Sequence, residues 1–287
     1  MDIGARVGDN GAMEAEPTNA ESTKRKRRWF QFSLRTTMVA VTLLCVWLGV
    51  VCNRANRQRR AVEVLRKSGA LVWYGYEFEI DENGESRPPG PDWLRNLIGV
   101  DYFAAPTEVG MPEEFDISDE FLVALADLPQ VTGVGLRGGG VNDVVAAKLS
   151  GLTQLQSLGI SGASITDAGW EFLKHLPHLK KLDLIGLDVS DSTLCHIKDL
   201  SNLTHVDLLD IQVTDSGLQY LQGLSQLEWL RLQEKNPMLT DAGLQHLNTL
   251  RHLKYLNIIG GKVTASGVAD LKRTLPALTV SLTGSGL

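Results

Sequence analysis

Asp183 and Asp207 are the residues whose type and spacing first suggest chemistry, because they stand 24 residues apart at equivalent positions of a repeated pattern. Two carboxylates held close together can divide the roles of general acid and general base. Such catalysis also needs an enclosed site that excludes water, whereas repeated units of this kind present an open surface. We therefore expect the chain not to be an enzyme.

Motifs for cofactors and metals are weak in this sequence. Gly133-Val-Gly-Leu-Arg-Gly138 matches the G-x-G-x-x-G pattern, but the repeat register places its glycines within a strand rather than in the turn after it. Three cysteines, at 45, 52 and 195, are too few for a disulfide framework or a multi-cysteine zinc site. Four histidines lack a cysteine or glutamate at metal-ligand spacing: His175, His178, His196 and His246. We expect neither a cofactor nor a bound metal.

The second half of the chain consists of leucine-rich units. Of the 44 leucines, 36 follow residue 117. Seven units begin at Ser118, Asn142, Thr166, Ser190, Thr214, Thr240 and Thr264, each 24 residues after the last except for one step of 26. Apolar residues recur at unit positions 5, 8, 11, 14, 17, 19 and 24, which in the third unit are Trp170, Leu173, Leu176, Leu179, Leu182, Leu184 and Val189.

Each unit combines two periods. Positions 5 and 8 are three apart and follow a Thr/Ser-Asp start, which predicts a capped short helix. Positions 17 and 19 are two apart, which predicts a strand with one buried face. A strand and a helix in every 20–29 residues are typical of leucine-rich repeats, whose apolar faces are buried only by stacking. Residues 118–287 are therefore predicted to form an α/β solenoid, a superhelix of about seven repeats with a parallel concave sheet and convex helices.

The consensus T-D-x-G-L-x-x-L-x-x-L-x-x-L-x-x-L-x-L over residues 118–282 resembles the leucine-rich repeats of many bacterial proteins and of the repeat arms of F-box proteins. No F-box precedes the repeats, so the resemblance does not imply a role in ubiquitin transfer. Residues 27–78 also resemble the N-terminus of bacterial membrane-anchored leucine-rich-repeat proteins. The Asn or Cys expected at unit position 22 is replaced by Gly139, Ala163, Leu187, Ile211 and Gly261, so the turns must satisfy their backbone groups in another way.

An uncharged stretch of 18 residues separates Arg35 from Arg54, and as a helix it would span about 27 Å, close to the hydrocarbon thickness of a bilayer. Basic residues on both flanks exclude a buried core helix, and the stretch lacks an A-x-A cleavage site. We predict an uncleaved transmembrane anchor over residues 29–53, with an interfacial aromatic belt at Trp29, Phe30 and Phe32. Residues 1–28, poor in apolar residues and ending in basic ones, are predicted to be a disordered tail.

The net charge of −6 is unevenly distributed. Residues 22–67 carry twelve Lys and Arg against one Glu, and residues 68–287 carry 15 basic and 28 acidic residues. The acidic body argues against nucleic-acid binding. The short basic N-terminal segment should stay in the cytoplasm and place residues 54–287 outside. Within that part, residues 54–117 are predicted to be a linker helix followed by an N-terminal cap.

Unit positions 16 and 18 should face outward from the strands and form a patch roughly 15–20 Å across. Its residues are Lys181, Asp183, His205, Asp207, Trp229, Arg231, Tyr255 and Asn257. Exposed Trp, Tyr and Arg are typical of binding hot spots. The sequence thus predicts a membrane-anchored, non-enzymatic interaction module that binds a protein, or else a glycan. Two alternatives are a structural spacer or envelope component with no single partner, and a binding site on the rim insertion at residues 234–237.

Overall fold

The computed structural model describes residues 34–78, 86–112, 117–234 and 238–283. Their strands form one nine-stranded sheet in chain order, in which β1 is antiparallel to β2 and all later pairs are parallel. The strands are β1 Leu71–Tyr74, β2 Pro106–Gly110, β3 Gly133–Arg137, β4 Ser157–Ser161, β5 Lys181–Ile185, β6 His205–Ile211, β7 Trp229–Glu234, β8 Tyr255–Ile259 and β9 Thr279–Thr283. This topology confirms the leucine-rich-repeat solenoid.

A helical segment follows each of strands β2 to β8. The α-helices are α1 Leu34–Lys67, α2 Asp92–Ile98, α3 Asp119–Ala126, α4 Asp143–Leu149, α5 Asp191–Ile197, α6 Asp241–Leu244 and α7 Ala265–Thr274. The third and fifth units instead form 3-10 helices, at Asp167–His175 and Gly217–Gly223. The predicted cap is present at Thr166, whose side chain accepts a hydrogen bond from the amide of Gly169.

The repeat leucines form one continuous core between the sheet and the helical segments. In the third unit, Trp170 is 1 % exposed, and Leu182 and Leu184 are fully buried. The residues that alternate with these leucines have more solvent-accessible side chains, since Lys181 is exposed and Asp183 is half-buried. The alternation of leucine with other residues therefore predicted the strand register correctly.

The turns at the ends of β3, β4, β5, β6 and β8 have a left-handed residue at unit position 21. These turns supply part of the pairing that an Asn or Cys ladder would provide. The turn amide donates to the carbonyl of the next strand, as in Gly186 N–H to Leu209 O at 3.1 Å. The positive-φ residues at this position are Gly138, Gly162, Gly186, Asp210 and Gly260. Glycine adopts this conformation without steric cost, and Asp tolerates it better than most residues.

At four of the six junctions between units, an aspartate clasp joins the start of one unit to the start of the next. The carboxylate of Asp191, at unit position 2, accepts hydrogen bonds from the amide (2.8 Å) and the hydroxyl (2.6 Å) of Thr214, at position 1 of the following unit. The same two bonds link Asp143 to Thr166, Asp215 to Thr240 and Asp241 to Thr264. The Thr-Asp pair of the consensus therefore serves both as a helix cap and as a bond between units.

The glycine at unit position 4 makes room for this clasp. A Cβ at Gly217 would lie 2.0 Å from Oδ1 of Asp191, and the equivalent glycines 169, 243 and 267 meet an aspartate in the same way. The fourth unit differs, because Thr193 occupies this position and its hydroxyl instead donates to Asp167 at 3.4 Å. The consensus T-D-x-G is thus explained by contacts between units.

Helix α1 contains the predicted membrane segment. The chain divides into two compact units, Met1–Trp47 and Leu48–Leu287, and the described part of the first is the start of this helix. Judged by length and composition, the helical segment Arg35–Lys67 is able to cross a membrane. The proposed tail 1–28 and the aromatic belt lie outside the described residues, and the domain boundaries stay predictions.

The last part of α1 packs into the solenoid's core through residues spaced three or four apart. Ala55, Ala61 and Leu65 are buried, and Gln58 Nε2 donates to the carbonyl of Ala104 at 2.7 Å. The alternation of residues 72–80 in the sequence predicts one strand, but β1 ends at Tyr74. The amide of Tyr74 donates to the carboxylate of Glu77 at 2.8 Å, which favours a turn over further strand.

We expect Leu182→Asp to destabilise the solenoid by about 3 kcal/mol or more, because it buries a carboxylate without a partner. Lys181→Asp, one residue away on the exposed face, should leave the fold intact. Circular-dichroism melts of both variants test the register, and the opposite ranking would show that it is wrong by one residue.

We expect Gly217→Ala to cost about 1–3 kcal/mol, because its methyl group would displace the Asp191 carboxylate from Thr214. Gly139→Ala is the matched control, since a Cβ there meets no atom within 4 Å. Urea denaturation that gave both variants equal stability would contradict the role of the clasp.

Candidate functional site

The eight predicted site residues lie on four adjacent strands, and the observed pairing brings them into two rows. Strands β5 to β8 align Lys181, His205, Trp229 and Tyr255 in one row and Asp183, Asp207, Arg231 and Asn257 in the other. We call these eight residues the concave patch. The competing rim insertion lies partly outside the described residues, which omit 235–237.

Asp207 and Arg231 form a bidentate ion pair at the centre of the patch. Arg231 Nε donates to Asp207 Oδ1 at 2.7 Å, and its Nη2 donates to Oδ2. The Asp207 side chain is 9 % exposed and that of Arg231 31 %, so the pair is mostly shielded from water. This hydrogen bond with Asp207 raises the pKa of Arg231 further above its usual range. Both carboxylate oxygens of Asp207 are engaged, which does not suit the acid–base role considered from the sequence.

Aromatic contacts extend this pair into the first row. The guanidinium carbon of Arg231 lies 5.4 Å from the ring centroid of Trp229, within cation–π range. The rings of His205 and Trp229 stack with centroids 6.3 Å apart, and Thr204 Oγ1 lies 2.9 Å from Nδ1 of His205. These contacts fix the orientation of Trp229 from two sides. Tyr255 remains 54 % exposed beside it.

Two polar groups of the second row are poorly satisfied. The Oδ1 atom of Asn257 is buried and has no hydrogen-bond partner among the described residues. Burial raises the pKa of Asp183, and the neighbouring Asp207 carboxylate raises it further. Both residues belong to the second row of the concave patch.

The sheet continues both rows past the predicted patch, toward the cap. In the first row, Trp73 on β1 pairs with Glu108 on β2, which pairs with Gly133 on β3. In the second row, Gly110 on β2 pairs with Gly135 on β3. Sequence reasoning missed β2 because the 24-residue period begins only at Ser118. The signal was present, since Thr107-Glu-Val-Gly110 matches Thr132-Gly-Val-Gly135 at three of four residues.

This end of the concave face contains a cavity of about 410 Å³, which we call the glycine hollow. Residues that line it include Trp73, Glu108, Gly110, Gly133, Gly135, Arg137, Gly159 and Asp183. The glycines of the G-x-G-x-x-G match therefore belong to the floor of a sheet rather than to a phosphate-binding turn. In the described part of the chain, no three His, Cys, Asp or Glu side chains are grouped so that they could hold a metal ion.

No protein-family model matches the sequence, and a search of curated proteins finds no relative. Among solved structures, the chain is similar to an internalin C2 of Listeria monocytogenes at 22 % identity and a TM-score of 0.45, covering 63 % of this chain and 70 % of the other. It is also similar to internalin inlF of the same organism at 21 % identity, with a TM-score of 0.41 and 55 % and 49 % of the two chains covered.

A plant peptide hormone receptor, RGFR1 in complex with RGF2, is similar at 18 % identity with a TM-score of 0.37, over 54 % of this chain and 25 % of the receptor. Similarity at this level does not identify a function. The assignment of the fold depends on the chain's own sheet, core and repeat contacts.

We expect Asp183→Asn to raise the melting temperature at pH 7. Because the folded-state pKa of Asp183 is raised, the folded protein keeps this proton at pH values where the unfolded chain has released it. Ionisation therefore destabilises the fold, and stability is regained as the pH falls through the folded pKa. The gain from the substitution should disappear below the unfolded value of about 3.9.

Thermal melts between pH 3 and pH 8 test this prediction, with Asp199→Asn at an exposed position outside the sheet as the control. A lower melting temperature for Asp183→Asn at pH 7 would contradict it.

Proposed function

We propose that the chain is a membrane-anchored, non-enzymatic interaction module that binds a protein partner through the concave patch. The observation that carries this proposal is the cluster of Asp207, Arg231, Trp229 and His205, whose side chains are held in place before any partner arrives. Preorganised side chains lose little conformational entropy on binding. Trp, Tyr and Arg are also the residues that contribute most often to interface hot spots.

The arrangement of the patch favours a protein over a glycan as the partner. Its two rows cross four strands, or about 15–20 Å, and they combine an exposed aromatic side chain with charges of both signs. The ion pair between Asp207 and Arg231 gives the centre of the patch little net charge, so shape and aromatic contacts should dominate there. The alternative is a structural spacer, which needs no preorganised cluster.

The apolar part of α1 supports the membrane anchor, together with the basic residues on both of its sides in the sequence. The short N-terminal segment, with Lys24 to Arg28, would remain in the cytoplasm under the positive-inside rule. The repeats would then lie outside the cytoplasm.

We expect a photocrosslinking residue at Thr279, which continues the first row on β9, to capture a specific partner in intact cells. Trp229→Ala and Tyr255→Ala should each weaken that binding by about 1–3 kcal/mol, the scale of an aromatic anchor. Melting temperatures should change little, because neither side chain belongs to the repeat core. A crosslinker at Gln219, exposed in the 3-10 helix of the fifth unit, is the control for the opposite side.

Two other outcomes of this experiment are informative. Deletion of Lys235 and Asn236 restores a 24-residue unit and tests the rim insertion directly. If this deletion abolishes capture while the double variant of Trp229 and Tyr255 retains it, the rim is the site and the concave patch is not. Capture of no specific protein from Thr279 would favour the spacer.

We expect a reporter fused after Leu287 to be active outside the cytoplasm, and removal of residues 29–53 to yield a soluble protein. Deletion of Lys24 to Arg28 should reverse the orientation, because it removes the charges that retain the N-terminus. A C-terminal tag that protease reaches only after cell lysis would contradict the proposed orientation.

A further inference from the structure

The glycine hollow differs from the rest of the concave face in having a floor of bare backbone. A Cβ at Gly110 would lie 2.8 Å from the Trp73 ring, and a Cβ at Gly133 would lie 2.9 Å from Cγ of Glu108. These two glycines are therefore already covered by neighbouring side chains. Gly135 and Gly159 are open, because a Cβ on either would approach no atom closer than 3.9 Å.

Folding does not require glycine at these two open positions. Neither residue has a positive φ, and each lies within a strand that pairs on both sides. A glycine inside a strand costs roughly 0.5–1 kcal/mol relative to alanine. Where nothing in the fold demands it, such a glycine marks a place where a ligand or another backbone approaches closely.

The side chains around this floor define the chemistry of the ligand. The carboxylate of Glu108 leans over β3, since its Oε1 lies 3.4 Å from the Cβ position of Gly133. Asp183 lies on β5, two strands or about 10 Å beyond β3, and Gly159 lies on the strand between them. Neither acid forms a hydrogen bond or ion pair with any residue that the structure describes. The Trp73 ring closes the end over Gly110.

We propose that the glycine hollow binds the side chain of a lysine or arginine carried on an extended segment of the protein partner. The aliphatic stem lies over Gly135 against the ring of Trp73, and the cation lies over Gly159 between Glu108 and Asp183. This inference rests on the proposed function, because it names the chemistry that the partner presents beside the concave patch.

Two further observations agree with a cationic ligand. Burial and the neighbouring Asp207 raise the pKa of Asp183 by more than Lys181, Arg231 and His205 lower it, and a bound cation would offset the remaining increase. Residues 68–287 carry 15 basic and 28 acidic residues, a net charge of −13, which attracts basic partners over long range. Arg137, the last residue of β3, lines the hollow as well.

Fluorine NMR of the full chain in nanodiscs can test the hollow directly. The chain has six tryptophans, so 5-fluorotryptophan labelling gives few resonances, and Trp73→Phe and Trp229→Phe assign the two on the concave face. The probes are acetyl-Ser-Gly-Arg-Gly-Ser-amide, its lysine analogue, and the same peptide with neutral citrulline in place of arginine.

We expect the arginine and lysine peptides to shift the Trp73 resonance saturably and to leave that of Trp229 in place. The citrulline peptide should bind about fivefold more weakly, which is the upper end of the effect expected for the loss of one partly exposed ion pair. Gly159→Val, which fills the floor, should abolish the shift, and Asp183→Asn or Glu108→Gln should weaken it. Gly139→Ala is the folded control.

Equal binding of the citrulline peptide, or an unchanged shift in Gly159→Val, would overturn the proposal. A Trp73 shift with chitotetraose and none with arginine would assign the hollow to a glycan instead. Crosslinking from Thr279 distinguishes failure of this inference from failure of the proposed function. If the partner does not use the hollow, Gly159→Val still crosslinks to the partner from Thr279, whereas Trp229→Ala does not. If the proposed function itself is wrong, the parent chain crosslinks to no specific partner.

Discussion

The bond between Asp at position 2 of one unit and Thr at position 1 of the next is the interaction on which the array depends. Hydrophobic burial is not directional, so the stacking of leucines sets the register between helical segments less sharply than a hydrogen bond does. A carboxylate that accepts from both the amide and the hydroxyl of one threonine, as Asp191 does from Thr214, allows a single offset. The matching glycine at position 4 excludes alternatives, since any larger side chain must either move the carboxylate or, like Thr193, bond to it.

The sequence was sufficient to predict the strand register and the membership of the concave patch. Leucines at positions 17 and 19 must face the core, so positions 16 and 18 must face outward, and a one-residue error would reverse every side chain. The pairing of Lys181, His205, Trp229 and Tyr255 follows from equal spacing along the chain. These features depend on local pattern and period, which a sequence displays directly.

Features that join residues more than one unit apart were not predictable in the same way. Thr-Asp pairs were interpreted as helix caps, which is correct, but the bond from Asp143 to Thr166 crosses 23 residues and leaves no local pattern. The end of β1 and the presence of β2 were missed for a similar reason. Nothing in residues 106–110 alone shows that β2 extends the sheet, and the side chain of Glu77 ends β1 earlier than apolar alternation suggests.

The two-row surface also determines how such a protein can change over generations. The third to sixth units each carry a Thr or Ser at position 1 and an Asp at position 2, so recombination that removes one of them rejoins the array with a hydroxyl beside a carboxylate. Loss of residues 190–213 would remove His205 and Asp207 and bring Asp183 beside Arg231, which would keep an acidic neighbour in the same row. Recombination can therefore change the concave surface by whole strands, while point substitutions change single positions within it.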